Sequence, residues 1–311
     1  MRLDALTLKQ LRALIAVADH RSLTAAAEAL GQSVPAIHSQ IKNLESAVGK
    51  ALLARSVEGE GFSPTPEGED ILLAARRVEA VLSQAAARIR ARTAGFQGQI
   101  TLGTVSTAKY FAPRLVRMLR DRCPDIEIDL RVANREETLI GLQHGQFDLA
   151  IMGRPPRGEL HGAIPLGPHP HGILLPPDHR LAEADGFDPS ALISETFLTR
   201  EAGSGTRILM ERYLDRLSEG YPLTIKAMDS NETIKQAVIA GLGVAFLSLH
   251  TAVEELKSGR LKQLRGPGLP VMRHWYLIVP GDTPPSAAAR RIAEEIEGLG
   301  GTFLPAVPVS A

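Results

Sequence analysis

Cysteine is almost missing from this 311-residue chain. Cys123 stands alone, which excludes an intramolecular disulfide and a cysteine-rich zinc site. A buried, inert thiol is the expectation for it. Net charge is missing as well, because 35 Lys and Arg balance 35 Asp and Glu. No global basic excess therefore marks a nucleic-acid binder. Long apolar runs are also absent. The longest, residues 237–249, is interrupted by Gly241 and Gly243 and is too short to span a bilayer. The opening MRLDALTLKQ carries charge and no apolar signal core, so a soluble, cytoplasmic protein is expected. Nucleotide and nucleophile motifs are lacking too. GSGTR does not end in Gly-Lys-Ser/Thr, no Rossmann glycine fingerprint follows a strand, and there is no Gly-x-Ser-x-Gly elbow.

What remains is ordinary globular composition, 44% hydrophobic and 23% charged, at a length that implies two or more domains. Leu8, Leu11, Leu14, Ile15 and Ala18 recur at helical spacing and predict an amphipathic first helix. Ser22 sits as an N-cap before a short Ala-rich helix, residues 23–30, that stops at Gly31. A third helix starts behind Ser33, with Pro35 in its first turn and Ile37, Ile41 and Leu44 on its buried stripe. Two short helices around a Gly-containing turn are the pattern of a helix-turn-helix. Gly59, Gly61, Pro64 and Pro66 then suit a β-ribbon wing.

From residue 67 to about 94 the pattern becomes one long helix. Ile71, Ala75, Val78, Leu82, Ala85 and Ile89 are spaced 4, 3, 4, 3, 4, a heptad seam that predicts a dimerising linker. Packing of this helix on its own domain is the alternative. Arg76, Arg77, Glu79, Arg88 and Arg90 flank the seam. Beyond residue 99, strands are predicted at 100–105, 126–132, 147–152, 172–175, 197–200, 224–228, 244–248 and 274–279. Helices are predicted near 110–122, 135–145, 205–218, 231–240, 250–257 and 285–298. This alternation implies a parallel-sheet α/β domain. The expected organisation is a multi-domain α+β chain: a winged helix-turn-helix over 1–66, a linker helix over 67–96, and an effector-binding domain over 97–311. That last domain is expected to resemble periplasmic binding proteins. One subdomain would cover about 97–166 plus 267–300, the other about 167–266.

A recognition helix needs short polar side chains on its first turns for base edges and cations further along for phosphates. Gln32, Ser33, Pro35, Ala36, Ser39 and Gln40 lie off the buried stripe of the third helix, with His38 and Lys42 beside them. Gln pairs with adenine, and Ala or Pro packs on a thymine methyl. Arg21 before the second helix and Arg55 entering the wing are phosphate candidates.

Residues 8–68, LKQLRALIAVADHRSLTAAAEALGQSVPAIHSQIKNLESAVGKALLARS…TPEG, resemble the N-terminal signature of LysR-type transcriptional regulators. VSTAKYFAPRLV, IMGRPPR, REAGSGTRILMERYLDRL and SNETIKQAVIAGLGVAFLSLHT resemble the narrower CbbR-type group, which controls Calvin-cycle (ribulose bisphosphate carboxylase) operons. The chain departs from the family pattern at Glu58 and Glu60 in the wing, where a basic residue is common. It departs again at Arg21, where glycine is frequent. The resemblance implies promoter DNA as partner, a dimer or homotetramer, and an activator or a repressor. It also implies a Calvin-cycle effector such as ribulose bisphosphate, phosphoenolpyruvate, NADPH or ATP.

Three strand-to-helix junctions are suited to hold such an anion. Thr104, Ser106 and Thr107 form the first; Arg200, Ser204, Gly205, Thr206 and Arg207 the second; Asn231, Glu232 and Thr233 the third. Simple helix capping by Ser106, Ser204 and Asn231 is the competing account. Arg154 and Arg135 lie at the same edge. Cations at helix N-termini oppose the macrodipole, and an anion between them would resolve the conflict. His169 and His171 are spaced as strand neighbours on one face, without the further ligands a metal needs. No resident cofactor and no catalysis are expected. The alternatives are a LysR-type regulator of another metabolic operon, a solute-binding module, or an enzyme on phosphorylated substrates using Ser204 with His250 or His274.

Overall fold

The computed structural model describes residues 3–55, 61–156, 161–182, 189–218, 221–266, 268–281 and 284–308. Its contacts divide the chain into two compact units: Met1–Ala87 with His144–Gln146, and Arg88–Gln143 with Phe147–Ala311. Each is taken by itself.

In the first unit, α1 (Leu8–His20), α2 (Leu23–Leu30) and α3 (Val34–Val48) each begin behind a hydroxyl cap. Thr7 and Gln10 form a reciprocal capping box, Ser22 accepts from the Ala25 amide, and Ser33 accepts from the Ala36 amide. Gly31 and Gly49 end α2 and α3 in the left-handed conformation that glycine takes without strain. Leu14, Val17, Ala26, Ile37, Ile41 and Leu44 close one core among the three helices. The wing is an antiparallel pair, β1 (Leu53–Arg55) and β2 (Phe62–Pro64). Behind it, Thr65 accepts from the Gly68 amide and Pro66 opens α4 (Pro66–Thr93). Gly68 is required there, since a Cβ would fall 1.9 Å from the Leu52 carbonyl oxygen.

The second unit is built on one nine-stranded sheet. β3 (Gly98–Val105) lies between β4 (Ile126–Ala133) and β5 (Leu149–Met152), all parallel, with α5 (Ala112–Arg122) and α6 (Arg135–Gln143) as crossovers. The long β6 (His161–Leu175) leads to a second parallel set through α7 (Pro189–Ile193), β7 (Thr196–Arg200), α8 (Gly205–Ser218), β8 (Thr224–Met228), α9 (Asn231–Ile239) and β9 (Val244–Ser248). After α10 (Val253–Lys257) and the two-residue β10 (Lys262–Gln263), β11 (Val271–Pro280) returns antiparallel to β6, and α11 (Ala287–Gly298) packs on the first set. The sheet therefore has two parallel halves joined by the β6–β11 ribbon. One core gathers around Ile100, Leu115, Trp275 and Ile292, and two others lie on the far half around Leu247 and Phe246.

Most strands and helices begin and end close to where the residue pattern puts them. β6 does not, since the pattern gives only 172–175. Pro165, Pro168 and Pro170 read as strand breakers, yet all three lie in β6. They are tolerated because β9 joins β6 only at His171–Leu174, so the prolines face a ladder on one side alone. The antiparallel ribbon, α7 and β10 are not among the elements that the residue pattern predicts.

Candidate functional site

The recognition face of the first unit is α3. Gln32, Ser33, Pro35, His38, Ser39 and Lys42 are exposed, whereas Ala36 and Gln40 are half-buried. Ser33 spends its side chain on the cap. Gln40 donates to Gln32 at 3.4 Å, so the two amides sit together on the outer face. Lys42 is paired with Glu45 at 3.1 Å, and Glu45 also accepts from the Leu52 amide. That carboxylate ties α3 to the root of the wing and lowers the charge Lys42 can offer a phosphate. Arg55 is exposed on β1. Arg21 is exposed too, but its backbone is left-handed, with φ of 53°, at the end of α1. Its carbonyl accepts from the Phe62 amide at 2.9 Å, which fixes the wing against the α1–α2 corner. Glu58 and Glu60 lie outside the described residues.

The seam of α4 divides in two. Ile71 packs on the helix-turn-helix core, Ala75 is fully buried, Arg76 pairs with Asp19 and Glu79 with Arg12. The early part of the seam is thus occupied by its own domain, and Arg76 and Glu79 are not available to flank a dimer. Further along, Val78, Leu82 and Ile89 are exposed, Ala85 is half-buried, and Val81 is 60% exposed beside them.

The second unit contains a cleft of about 760 Å³ between its two halves. Of the residues expected from sequence, Ser106, Thr107, Arg135, Arg154, Gly205 and Thr206 line it. So do Arg212, Arg273, His274, His169 and His171, and no carboxylate is among the described lining residues. Arg135 starts α6, crosses to the start of α8 beside Gly205, and donates to the Arg154 carbonyl at 2.7 Å. Burial and the neighbouring Arg154 charge both lower its pKa. Arg154, Arg212 and Arg273 have no ion-pair partner among the described residues. Uncompensated cations in a concave site with low-dielectric walls make a focused positive potential.

Thr104, Arg200, Ser204, Arg207, Asn231, Glu232 and Thr233 are not among the residues lining the cleft, and Arg200 and Asn231 are joined with Ser106 in a clasp. Arg200 is buried, donates twice to Glu201 at 2.6 and 2.8 Å, and donates to Ser106 Oγ at 3.0 Å and Asn231 Oδ1 at 2.9 Å. Asn231 is not the N-cap of α9; Ser230 is, holding the Thr233 amide and hydroxyl. Glu232 accepts from Lys109 at 2.7 Å and from Tyr110 at 2.6 Å. Burial alone would raise the Glu232 pKa, but those two donors hold it down at about 2. Arg207 pairs with Glu211 one turn on, Thr104 is fully buried against the Arg131 carbonyl, and Ser204 is buried at the head of α8. Glu201 and Glu211 offset the charges of Arg200 and Arg207 at the head of α8. No hydrogen bond among the described residues joins Ser204 to His250 or His274. His250 instead accepts the Trp275 indole N–H at 3.1 Å. Among the described residues, no group of three or more His, Cys, Asp or Glu is arranged to hold a metal. Cys123 is buried.

Arg212 and Arg273 were missed from sequence, although one signal was present. Arg212 lies seven residues past Gly205 on α8, two turns along the same face.

A winged helix-turn-helix in one unit and a cation-lined cleft between two α/β halves in the other define a DNA-binding regulator that answers to a small molecule. Two family models match the chain: the bacterial regulatory helix-turn-helix protein, lysR family, over residues 8–69, and the LysR substrate binding domain over residues 93–300. The chain belongs to the LysR family, whose members are transcription regulators and not enzymes. It is 56% identical over 308 residues, 99% of each chain, to the HTH-type transcriptional regulator CbbR of Cereibacter sphaeroides. It is 37% identical over 275 residues to the RuBisCO operon transcriptional regulator of Allochromatium vinosum, covering 88% of this chain and 89% of that one. Among solved structures, the regulatory domain of Synechocystis PCC6803 CcmR in complex with 2-PG is similar, with TM-score 0.62 and 31% identity. That match covers 66% of this chain and 98% of the other.

Proposed function

We propose that this chain regulates transcription of carbon-fixation operons, binding promoter DNA through α3 and the wing and a small anionic metabolite in the cleft. Four arginines converge in a site with no carboxylate among its described lining residues, and that single observation carries the choice of ligand charge. Relatives that regulate a RuBisCO operon support the choice of target, and 2-PG on the CcmR regulatory domain supports the ligand class. Gln32, Ser33, Pro35, Ala36, His38, Ser39 and Gln40 read the major groove, while Arg21, Lys42 and Arg55 hold phosphates. Ser106, Thr107, Arg135, Arg154, Gly205 and Thr206 hold the ligand, joined by Arg212 and Arg273. Val78, Val81, Leu82, Ala85 and Ile89 form the dimer seam of the linker. The working division is 1–66, 67–96 and 97–311. No described helix is long and apolar enough to cross a membrane, and a cytoplasmic location suits the role.

Coupling follows from population shift. A ligand that binds one closure of the two halves better than another biases that closure, and linked dimers then space their DNA heads differently. Retardation of DNA upstream of the carbon-fixation genes at several salt concentrations tests the first half of the proposal. Specific, salt-dependent retardation is expected, and its absence refutes a promoter-binding role. A thermal-shift panel of ribulose bisphosphate, phosphoenolpyruvate, NADPH, ATP and 2-PG tests the second. Stabilisation of wild type but not of R154A/R212A is expected. Equal stabilisation of both would move the site elsewhere.

A further inference from the structure

One polar atom in the cleft wall has no hydrogen-bond partner among the described residues. His169 on β6 lines the cleft and is 3% exposed. Its ring stacks on the Trp275 ring with centroids 3.7 Å apart and planes nearly parallel, and its centroid is 4.1 Å from that of the His171 ring. Nε2 is 2.8 Å from Ser248 Oγ. Nδ1 has no hydrogen-bond partner among the described residues. Buried polar atoms are rarely left so, because each costs the hydrogen bonds it had in water.

The neighbour that faces Nδ1 is Gly153, which also lines the cleft and follows β5. A Cβ on residue 153 would come within 2.8 Å of Nδ1 and 3.0 Å of Cε1. Any other residue there would block the nitrogen. Arg154 is the next residue along the chain, and Arg273 stands opposite His169 in the β6–β11 ladder. Nδ1 is thus buried, faces the Gly153 backbone where a side chain is missing, and lies beside the chain positions that carry two of the cleft's cations.

Resting on the proposed reading of the cleft as an anion site, we infer that His169 is a ligand-binding residue whose Nδ1–H donates to an oxygen of the anion. Burial, with the nearby His171 and His250, keeps the ring neutral. A neutral imidazole carries one N–H, so Nε2 must accept if Nδ1 donates. Ser248 Oγ makes no other hydrogen bond among the described residues and is free to turn its proton toward Nε2. The arginines supply charge, and His169 supplies one directed donor that fixes where a ligand oxygen sits. Phosphate and carboxylate oxygens both satisfy it.

Calorimetric titration of the full chain with inorganic phosphate, phosphoenolpyruvate and ribulose bisphosphate tests this, using H169N, H169Q and G153A. An Asn amide nitrogen occupies the place of Nδ1, and a Gln amide nitrogen that of Nε2. H169N should bind the tightest probe within about threefold of wild type. H169Q, which keeps the Ser248 contact but lacks the Nδ1 donor, should bind about tenfold or more weakly. G153A keeps the histidine but blocks its approach, and should lose a similar factor. Ligand should change Trp275 emission in wild type and not in G153A, a readout that a purely structural role would leave alone. Unchanged DNA retardation and an unchanged melting temperature without ligand establish that each variant is folded. Should H169Q misfold, G153A decides the matter alone. If R154A/R212A weakens binding while H169Q and G153A bind as wild type, the His169 assignment is overturned and the anion site stands. If wild type binds none of the three probes, or R154A/R212A binds them all equally well, the anion site falls and His169 with it.

Discussion

Replacing Arg200 by alanine separates a structural clasp from a ligand contact. The guanidinium is 4% exposed and makes four hydrogen bonds, two of them a bidentate pair with Glu201. Its removal leaves a carboxylate, a hydroxyl and an amide oxygen unpaired in the space it occupied. Breaking a buried pair from one side costs about 3–5 kcal/mol. The Glu201 side chain is 32% exposed, so water takes up part of the loss and the lower end, about 3 kcal/mol, applies. The chain has a single tryptophan, Trp275, fully buried in the second unit, so its emission reports unfolding of that unit alone. This removes the ambiguity of a chain with more than one domain. With a urea slope of about 2.5 kcal/mol/M, the R200A midpoint should fall by about 1 M. R200K keeps charge without the planar fork and should recover only part of the loss. R200A/E201A should recover part as well, because no carboxylate is stranded. A midpoint within about 0.2 M of wild type, together with loss of the ligand response, would refute the clasp and return Arg200 to the ligand.

Three further outcomes follow from the same geometry. Unfolded histidines take up protons near pH 6.5, whereas burial lowers His171 to about 3, His250 to about 4, and His169 well below its usual value. Between these limits the unfolded state binds more protons. Stability therefore falls as pH drops below about 6.5, by up to about 1.4 kcal/mol per unit for each histidine. H250N should make the Trp275-monitored decline between about pH 6 and 4.5 shallower, and an unchanged slope would contradict a buried neutral His250. Arg21 holds a left-handed backbone that costs a non-glycine residue about 1 kcal/mol. R21G should raise the calorimetric melting temperature of the DNA-binding unit by about 4 °C or less while lowering the salt slope of DNA binding by about 1. An unchanged or lower melting temperature would contradict the strain. V81E/L82E places two carboxylates on the exposed stripe of α4 and should dissociate the assembly in sedimentation; an intact oligomer would remove the stripe from the interface.

The first unit was the more legible part of the sequence. Its signals are local: a hydroxyl cap, a glycine stop and a stripe at helical spacing each lie within one turn of what they control, as at Ser22, Gly31 and Ile37. The long α4 was legible as a helix, but a heptad does not say which residues its own domain takes. Ile71 packs on the core and Ala75 is buried, while Val78, Leu82 and Ile89 stay outside. In the second unit the strands that follow ordinary β-propensity were legible, and β6 was not. Whether Pro165, Pro168 and Pro170 break a strand depends on which edges are paired, and that is settled by contacts more than seventy residues away. The cleft was legible at Ser106, Thr107, Arg135, Arg154, Gly205 and Thr206 because those residues lie at strand ends. Arg200 and Asn231 lie at similar ends but meet Glu201 and each other, and no local pattern records that pairing. His169 and His171 are legible as neighbours on one face, while the glycine that leaves room beside the His169 Nδ1 is sixteen residues earlier.

Footprinting of the full chain on DNA upstream of the carbon-fixation operon, with and without ribulose bisphosphate, tests the central claim most directly. A protected pseudo-palindromic site is expected, its extent changing with the ligand in wild type and staying fixed in R154A/R212A. No specific protection, or the same ligand-dependent change in both proteins, would contradict it.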